Sequence, residues 1–202
     1  MSLGKYRAID LTIFAVIVSV LQIITLIIRT KFDLLFAAFP AFALSVTILL
    51  LLIVMVRWGY WAIIHSILSG LVYAYMATKL SGANFDMEIF KVNALVYGLG
   101  NSFIIADVLL LKFIGAKRLS NGGWWLILYA TVGFALVGLG RALVGTFFNV
   151  AFSHGITQFI TCESLNYILA IIILFITNKQ ENMLIDQREY FQAVRLGGKN
   201  ED

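Results

Sequence analysis

The feature that most constrains this chain is the length of its apolar stretches, which match the thickness of a bilayer and alternate with short charged punctuation. A helix crosses the hydrocarbon core in about 20 predominantly apolar residues. Six blocks of that kind can be read: Ile9–Ile28, Leu34–Val56, Trp58–Thr78, Ile89–Phe113, Trp124–Asn149 and Thr157–Thr177. Only the stretch from Asn178 onward is plainly polar. The second boundary rests on one charge, Arg57. A single helix over 34–78 would be more than twice as long as the bilayer is thick, so a hairpin corner is expected there. Gly59 and the aromatic side chains of Trp58, Tyr60 and Trp61 suit an interfacial turn.

Composition enters as an exclusion. Of 202 residues, 61% are hydrophobic and 13% charged, against about 25% charged in soluble domains. Too few charges exist to coat a water-facing surface, which sets aside a soluble enzyme, a secreted disulfide scaffold and a disordered tail. A single proline and weak alternation of polarity argue against an outer-membrane barrel. One cysteine, Cys162, forms neither an internal disulfide nor a metal cluster. The expected fold is therefore an all-α integral membrane protein, a six-transmembrane-helix bundle. Residues 1–178 would form the transmembrane domain and residues 179–202 a polar tail.

Six spans put both termini on one side, and the positive-inside rule identifies that side. The terminal side carries ten basic residues, among them Lys5, Arg7, Arg57, Lys112 and Arg118. The opposite side carries four, Arg29, Lys31, Lys79 and Lys91, and Arg141 lies within the membrane. Both termini are expected in the cytoplasm. The net charge of +4 is then mostly topology rather than a sign of nucleic acid. A secretory signal is not expected, because the first apolar block is too long for a signal core and Arg29 and Lys31 follow it. In the tail, Leu184, Gln187, Phe191 and Val194 follow a 3-4-3 spacing. Either a short amphipathic helix on the cytoplasmic membrane face or a frayed end of the last span satisfies that pattern.

Motifs for intramembrane chemistry are missing: the sequence has no HExxH, GxSxG or GxxxxGK[ST]. Its two histidines, His65 and His154, fall on different sides, which is unsuited to a shared metal site. No enzyme activity and no cofactor are expected. Without a nucleotide site the chain cannot energise transport alone.

Ionisable side chains at membrane depth are costly and each is a functional candidate. Asp107 lies near the cytoplasmic end of the fourth span, within reach of water, Lys112 or Arg57. Arg141 and Glu163 are deeper. Arg141 lies eight residues below Asn149 and Glu163 six below Thr157, depths of about 12 and about 9 Å. Residues three or four apart share a helix face. Glu163, Asn166 and Tyr167 form one polar strip, Arg141, Gly145 and Asn149 a second, and Asn93, Tyr97 and Asn101 a third. Two readings follow. In one, the strips line a pocket, open to the outside, for a small polar molecule bearing a ring or a charge, with His154 and Gln158 able to cap it. In the other, Arg141 and Glu163 neutralise each other and the Asn residues hold helices together. In the pocket reading Arg141 meets a carboxylate or phosphate-like group and Glu163 an amine or ring nitrogen. Asn93, Asn101, Asn149 and Asn166 then read polar edges, and Tyr97 and Tyr167 stack on a ring. Small residues also recur on the first span, at Ala8, Thr12, Ala15 and Ser19, and on the third, at Ser66, Gly70 and Ala74. Such stripes serve either packing inside the bundle or docking of another membrane protein.

The combination resembles the substrate-binding S-components of energy-coupling factor (ECF) vitamin transporters. The resemblance is one of architecture over nearly the whole chain: about 200 residues, six spans with cytoplasmic ends, no motor, and polar strips on spans four to six. It includes the basic start Lys5-Tyr6-Arg7-Ala8 and the Arg57-Trp58-Gly59 lead into the third span. It implies a protein of the bacterial cell membrane that holds a vitamin or related micronutrient in the external half of its last three spans. It also implies a transmembrane coupling subunit, driven by two cytosolic ATPases, that docks on the first span. Ala8, Thr12, Ala15 and Ser19 stand where the family's alanine-spaced docking motif would lie, although Ala15 is seven residues from Ala8 and Ser19 replaces the next alanine. A ligand-free membrane interaction protein and a solitary secondary transporter are the alternatives.

Overall fold

A computed structural model gives the structure of the chain and describes residues 2–31, 45–80, 85–115, 118–119, 122–180 and 183–197. Among the described residues the secondary structure is helical throughout. Five stretches are long and apolar enough to cross a membrane: Leu3–Ile28, Thr47–Leu80, Met87–Ile114, Trp124–Thr146 and Phe152–Asn178. These are the helices of a multi-pass membrane protein. We label the elements α1 (Leu3–Lys31), α2 (Thr47–Trp58), α3 (Ala62–Leu80), α4 (Met87–Ile114), α5 (Trp124–Thr146), α6 (Phe152–Asn178) and α7 (Gln187–Gly197).

The expected corner after Arg57 is present. The Thr47–Leu80 stretch is broken by a 3-10 turn at Gly59–Trp61, with Gly59 at φ +60, a backbone region that costs glycine least. Side-chain pairing fixes the direction of each arm. Thr47 at the start of α2 hydrogen-bonds Gln22 late in α1, whereas Arg57 at its end pairs with Asp10 early in α1. Helix α2 therefore runs antiparallel to α1. His65, early in α3, reaches the Leu11 carbonyl at 2.8 Å, so α3 starts from the end of the bundle where α2 finishes.

Of the expected second span, residues 34–44 lie outside the described residues. The described part is α2, whose 12 residues are about 18 Å long, well short of the hydrocarbon thickness. Its sequence, TILLLLIVMVRW, is apolar around its whole circumference until the last turn, and all twelve residues are buried. A helix apolar on every side belongs where it is covered on every side. It forms the centre of the bundle, with Phe14 and Val18 of α1, Tyr129 and Val137 of α5, and Ala170 and Leu174 of α6 in the same apolar core.

Helix α4 is irregular. Asp86 caps it, accepting from the backbone N–H of Glu88 at 2.8 Å and of Ile89 at 3.2 Å. A π turn interrupts it at Leu95–Leu99 and a 3-10 turn at Phe103–Ala106. Glycines carry its contacts on both sides. A Cβ on Gly70 of α3 would collide with the Gly98 backbone, and one on Gly140 of α5 with the Gly100 carbonyl and the Phe103 side chain. Ser66, Gly70 and Ala74 are thus internal packing, reinforced by the Ser66 hydroxyl donating to the Gly98 carbonyl at 2.9 Å.

At the end of the bundle where α1 begins and α2 finishes, an ion pair largely shielded from solvent staples α1 to α2. Arg57 donates to both Asp10 carboxylate oxygens at 2.8 and 2.9 Å, and the Trp58 indole N–H donates to Asp10 Oδ2 at 2.5 Å. The tail closes over this point. Tyr6 donates to Gln187 at 2.9 Å and its ring stacks on Phe191, while Arg57 also donates to the Met183 carbonyl at 3.2 Å. Of the 3-4-3 stripe in the tail, Leu184 and Gln187 are buried against the bundle and Val194 is exposed.

Candidate functional site

In the half of the bundle away from the pair of Arg57 and Asp10, the helices surround a cavity of about 240 Å³. Each of α1 to α6 contributes, which is wider than the three helices expected from the polar strips. Gln22 and Thr25 come from α1, Ser45 from the residues leading into α2, Thr47 from α2 itself, and Ser69 and Tyr73 from α3. Helix α4 supplies Val96, Tyr97 and Asn101, α5 supplies Arg141 and Gly145, and α6 supplies Gly155, Gln158, Phe159, Cys162 and Glu163.

Arg141 is the centre of this site. Its Nη1 donates to Glu163 Oε1 at 2.6 Å and its Nε to Asn101 Oδ1 at 2.7 Å. The guanidinium lies over the Tyr97 ring at 4.6 Å and the Phe159 ring at 5.4 Å, distances at which ring faces attract a cation. The Tyr73 and Tyr97 rings are 3.9 Å apart. Behind Glu163, Asn166 Nδ2 donates to Oε2 at 2.6 Å, and the Asn166 oxygen accepts from the Ser45 backbone N–H at 3.0 Å. The common depth inferred for Arg141 and Glu163 is therefore met by direct contact. Two glycines make room for it. A Cβ on Gly100 would press on the Arg141 backbone and Cγ, and one on Gly138 on the Phe159 ring.

Four residues of the strips are thus joined in one network, namely Asn101, Arg141, Glu163 and Asn166, with Tyr97 beneath it. Asn93, Asn149, Asn166 and Tyr167 are not among the cavity-lining residues, Asn166 standing behind Glu163. Asn93 is half-buried; the intervening π turn adds a residue to the helical turn and rotates Asn93 out of the register that four-residue spacing gives a regular helix. Helix α5 stops at Thr146, and Asn149 sits in the following turn, exposed, at φ +61. Tyr167 bonds the Thr131 hydroxyl at 2.7 Å and meets Phe134 edge-on, bracing α5 against α6. Gln158 lies on α6 rather than in a loop and does line the cavity, whereas His154 is exposed and does not.

Several lining residues lie outside the three polar strips. Gln22 and Thr25 are a polar pair three residues apart inside an apolar block, and Ser69 and Tyr73 a pair four apart. Both pairs carry the periodicity of a face turned away from lipid. Asp10 is a half-buried carboxylate at the edge of the first block, and it proves to be the partner of Arg57. Asp107 differs from expectation. It is 0% exposed, and neither carboxyl oxygen has a hydrogen-bond partner among the described residues. Arg57 is taken by Asp10, and Lys112 stands over the Tyr60 ring at 5.6 Å. On α1, Ala8 and Thr12 are exposed and Ala15 and Ser19 half-buried, the two hydroxyls bonding carbonyls of their own helix.

No family model, curated protein or solved structure matches the chain.

Proposed function

We propose that this chain is a membrane-embedded capture subunit for a small polar molecule, serving an uptake system of the ECF type in the bacterial cell membrane. In this reading the bundle makes six passes with both termini in the cytoplasm. The cavity opens toward the outside, and the chain binds its substrate without transforming it. A transmembrane coupling subunit and two cytosolic ATPases supply the energy, with the exposed Ala8 and Thr12 face of α1 as the docking surface.

One observation carries the reading. A charged network lies beside an open space in the membrane interior, where polar groups that only held helices together would be packed shut. Arg141 has five N–H donors, of which two are engaged by protein atoms among the described residues. Uncommitted donors beside a cavity lined from six helices are the ingredients of a ligand site.

Two measurements test this. Arg141→Ala should lower capture of the substrate about tenfold or more, the loss expected for charge-assisted hydrogen bonds, with the variant still folded. Mild-detergent purification of the native protein should bring down motor subunits or a tightly held small molecule. Isolation of the chain with neither would support the ligand-free interaction protein. Uptake by the chain alone in proteoliposomes would support a solitary secondary transporter.

A further inference from the structure

Resting on the capture reading, we infer that the molecule held in this cavity is compact and carries no net charge, and that it offers a carbonyl-type acceptor rather than a carboxylate to Arg141. The charged residues lining the cavity, among those described, are Arg141 and Glu163, and they lie 2.6 Å apart. Their charges cancel. The rest of the described lining is uncharged, with hydroxyls and amides from Gln22, Thr25, Ser69 and Gln158.

A free arginine would favour an anion, and a free glutamate a cation. Here each has already met the other, and each is anchored from behind, Arg141 by Asn101 at 2.7 Å and Glu163 by Asn166 at 2.6 Å. A charged ligand would have to remain unpaired in a largely desolvated site or pull this pair apart, and both are costly. An uncharged ligand needs neither. It can accept from the N–H donors that Arg141 has left and donate to the remaining lone pairs of Glu163, so the pair presents a donor and an acceptor side by side. The paired side chains of Tyr73 and Tyr97 form an aromatic part of the wall. A volume of about 240 Å³ lies below the range of about 300–1,000 Å³ for drug-sized ligands, which favours a single ring with a few polar substituents.

The test reads the charge of what the protein retains. The full chain is purified and denatured, and the released small molecules are identified by mass spectrometry and sorted on anion and cation exchangers at pH 7. The wild type should release a compound that neither exchanger holds. The double variant Arg141→Gln/Glu163→Gln keeps the cavity neutral and strands no charge. It should retain the same compound at about one tenth of the wild-type amount or less. Glu163→Gln alone leaves Arg141 uncompensated and should shift retention toward anions. A wild-type compound with a net charge overturns the inference and leaves the capture reading standing, as does a Glu163→Gln variant that retains the same uncharged compound in full. A wild-type protein that releases no small molecule overturns the inference, and it overturns the capture reading as well where no motor subunits come down with the chain.

Discussion

Two arginines among the described residues turn inward, Arg57 buried and Arg141 half-buried, and each is met by a carboxylate at hydrogen-bonding distance. Their surroundings separate them. Arg57 is enclosed by Asp10, Phe14 and the Met183 carbonyl at the end where α1 begins. Arg141 borders a cavity. Removing one partner of a buried pair strands the other, at a cost of about 3–5 kcal/mol, whereas replacing both by apolar residues is often neutral. Arg57→Met should therefore lower the thermal unfolding midpoint of the purified protein sharply, and Asp10→Leu combined with Arg57→Met should recover much of the loss. If the double variant were no better than the single one, the pair would not be the staple described. Asp107 gives the opposite expectation. Its carboxyl is buried with no hydrogen-bond partner among the described residues, and its Oδ2 lies beside Gly133. Asp107→Leu should leave the midpoint unchanged or raise it by a few degrees, as removal of an unsatisfied buried polar group does. A large destabilisation would mean that the carboxyl has a partner.

At the scale of elements, close packing of α4 decides what the site looks like. Its neighbours α3 and α5 approach so closely that glycines stand at the contacts, and the relation is not symmetric. A Cβ on Gly70 would drive into the Gly98 backbone, while one on Gly98 would rest 3.7 Å from the Ile67 carbonyl in ordinary contact. Gly70→Ala should cost about 1–3 kcal/mol through overpacking. Gly98→Ala should be tolerated, because alanine is the better helix former. Comparing the two melting curves checks the packing; equal effects would count against it. The same irregularity marks the limit of what the sequence made legible. The corner at Gly59 could be read from bilayer thickness, and the meeting of Arg141 with Glu163 from depth along two antiparallel helices. The displacement of Asn93 could not, since a π turn in α4 has no local signature in Asn93-Ala94-Leu95-Val96-Tyr97. Nor could the centrality of α2: six apolar blocks look alike in sequence, and only packing distinguishes the one surrounded by the others.

For the whole molecule, direction of access follows from the way the chain is threaded. Tyr6 touching Phe191 and Gln187 brings the start of α1 and helix α7 to one end of the bundle, the end to which the sequence assigns most of the basic residues. The cavity lies in the other half, beyond the apolar core built around α2. In the capture reading proposed above, a site so placed communicates with one side of the membrane, and delivery to the other side requires the bundle to move or reorient as a body, since the described core around α2 is apolar. The chain provides its own reporter of this. Cys162 is its single cysteine, it is half-buried and it lines the cavity beside Glu163. With the basic end in the cytoplasm, a membrane-impermeant maleimide added to intact cells or right-side-out vesicles should label Cys162. The same reagent added to inside-out vesicles should label it far more slowly. Saturating substrate should slow the outside reaction, because ligand and reagent would compete for one space. Equal labelling from both sides would show a continuous path through the bundle and turn the reading from capture toward a channel or solitary carrier. Labelling from the inside alone would invert the topology while leaving the cavity and its chemistry in place.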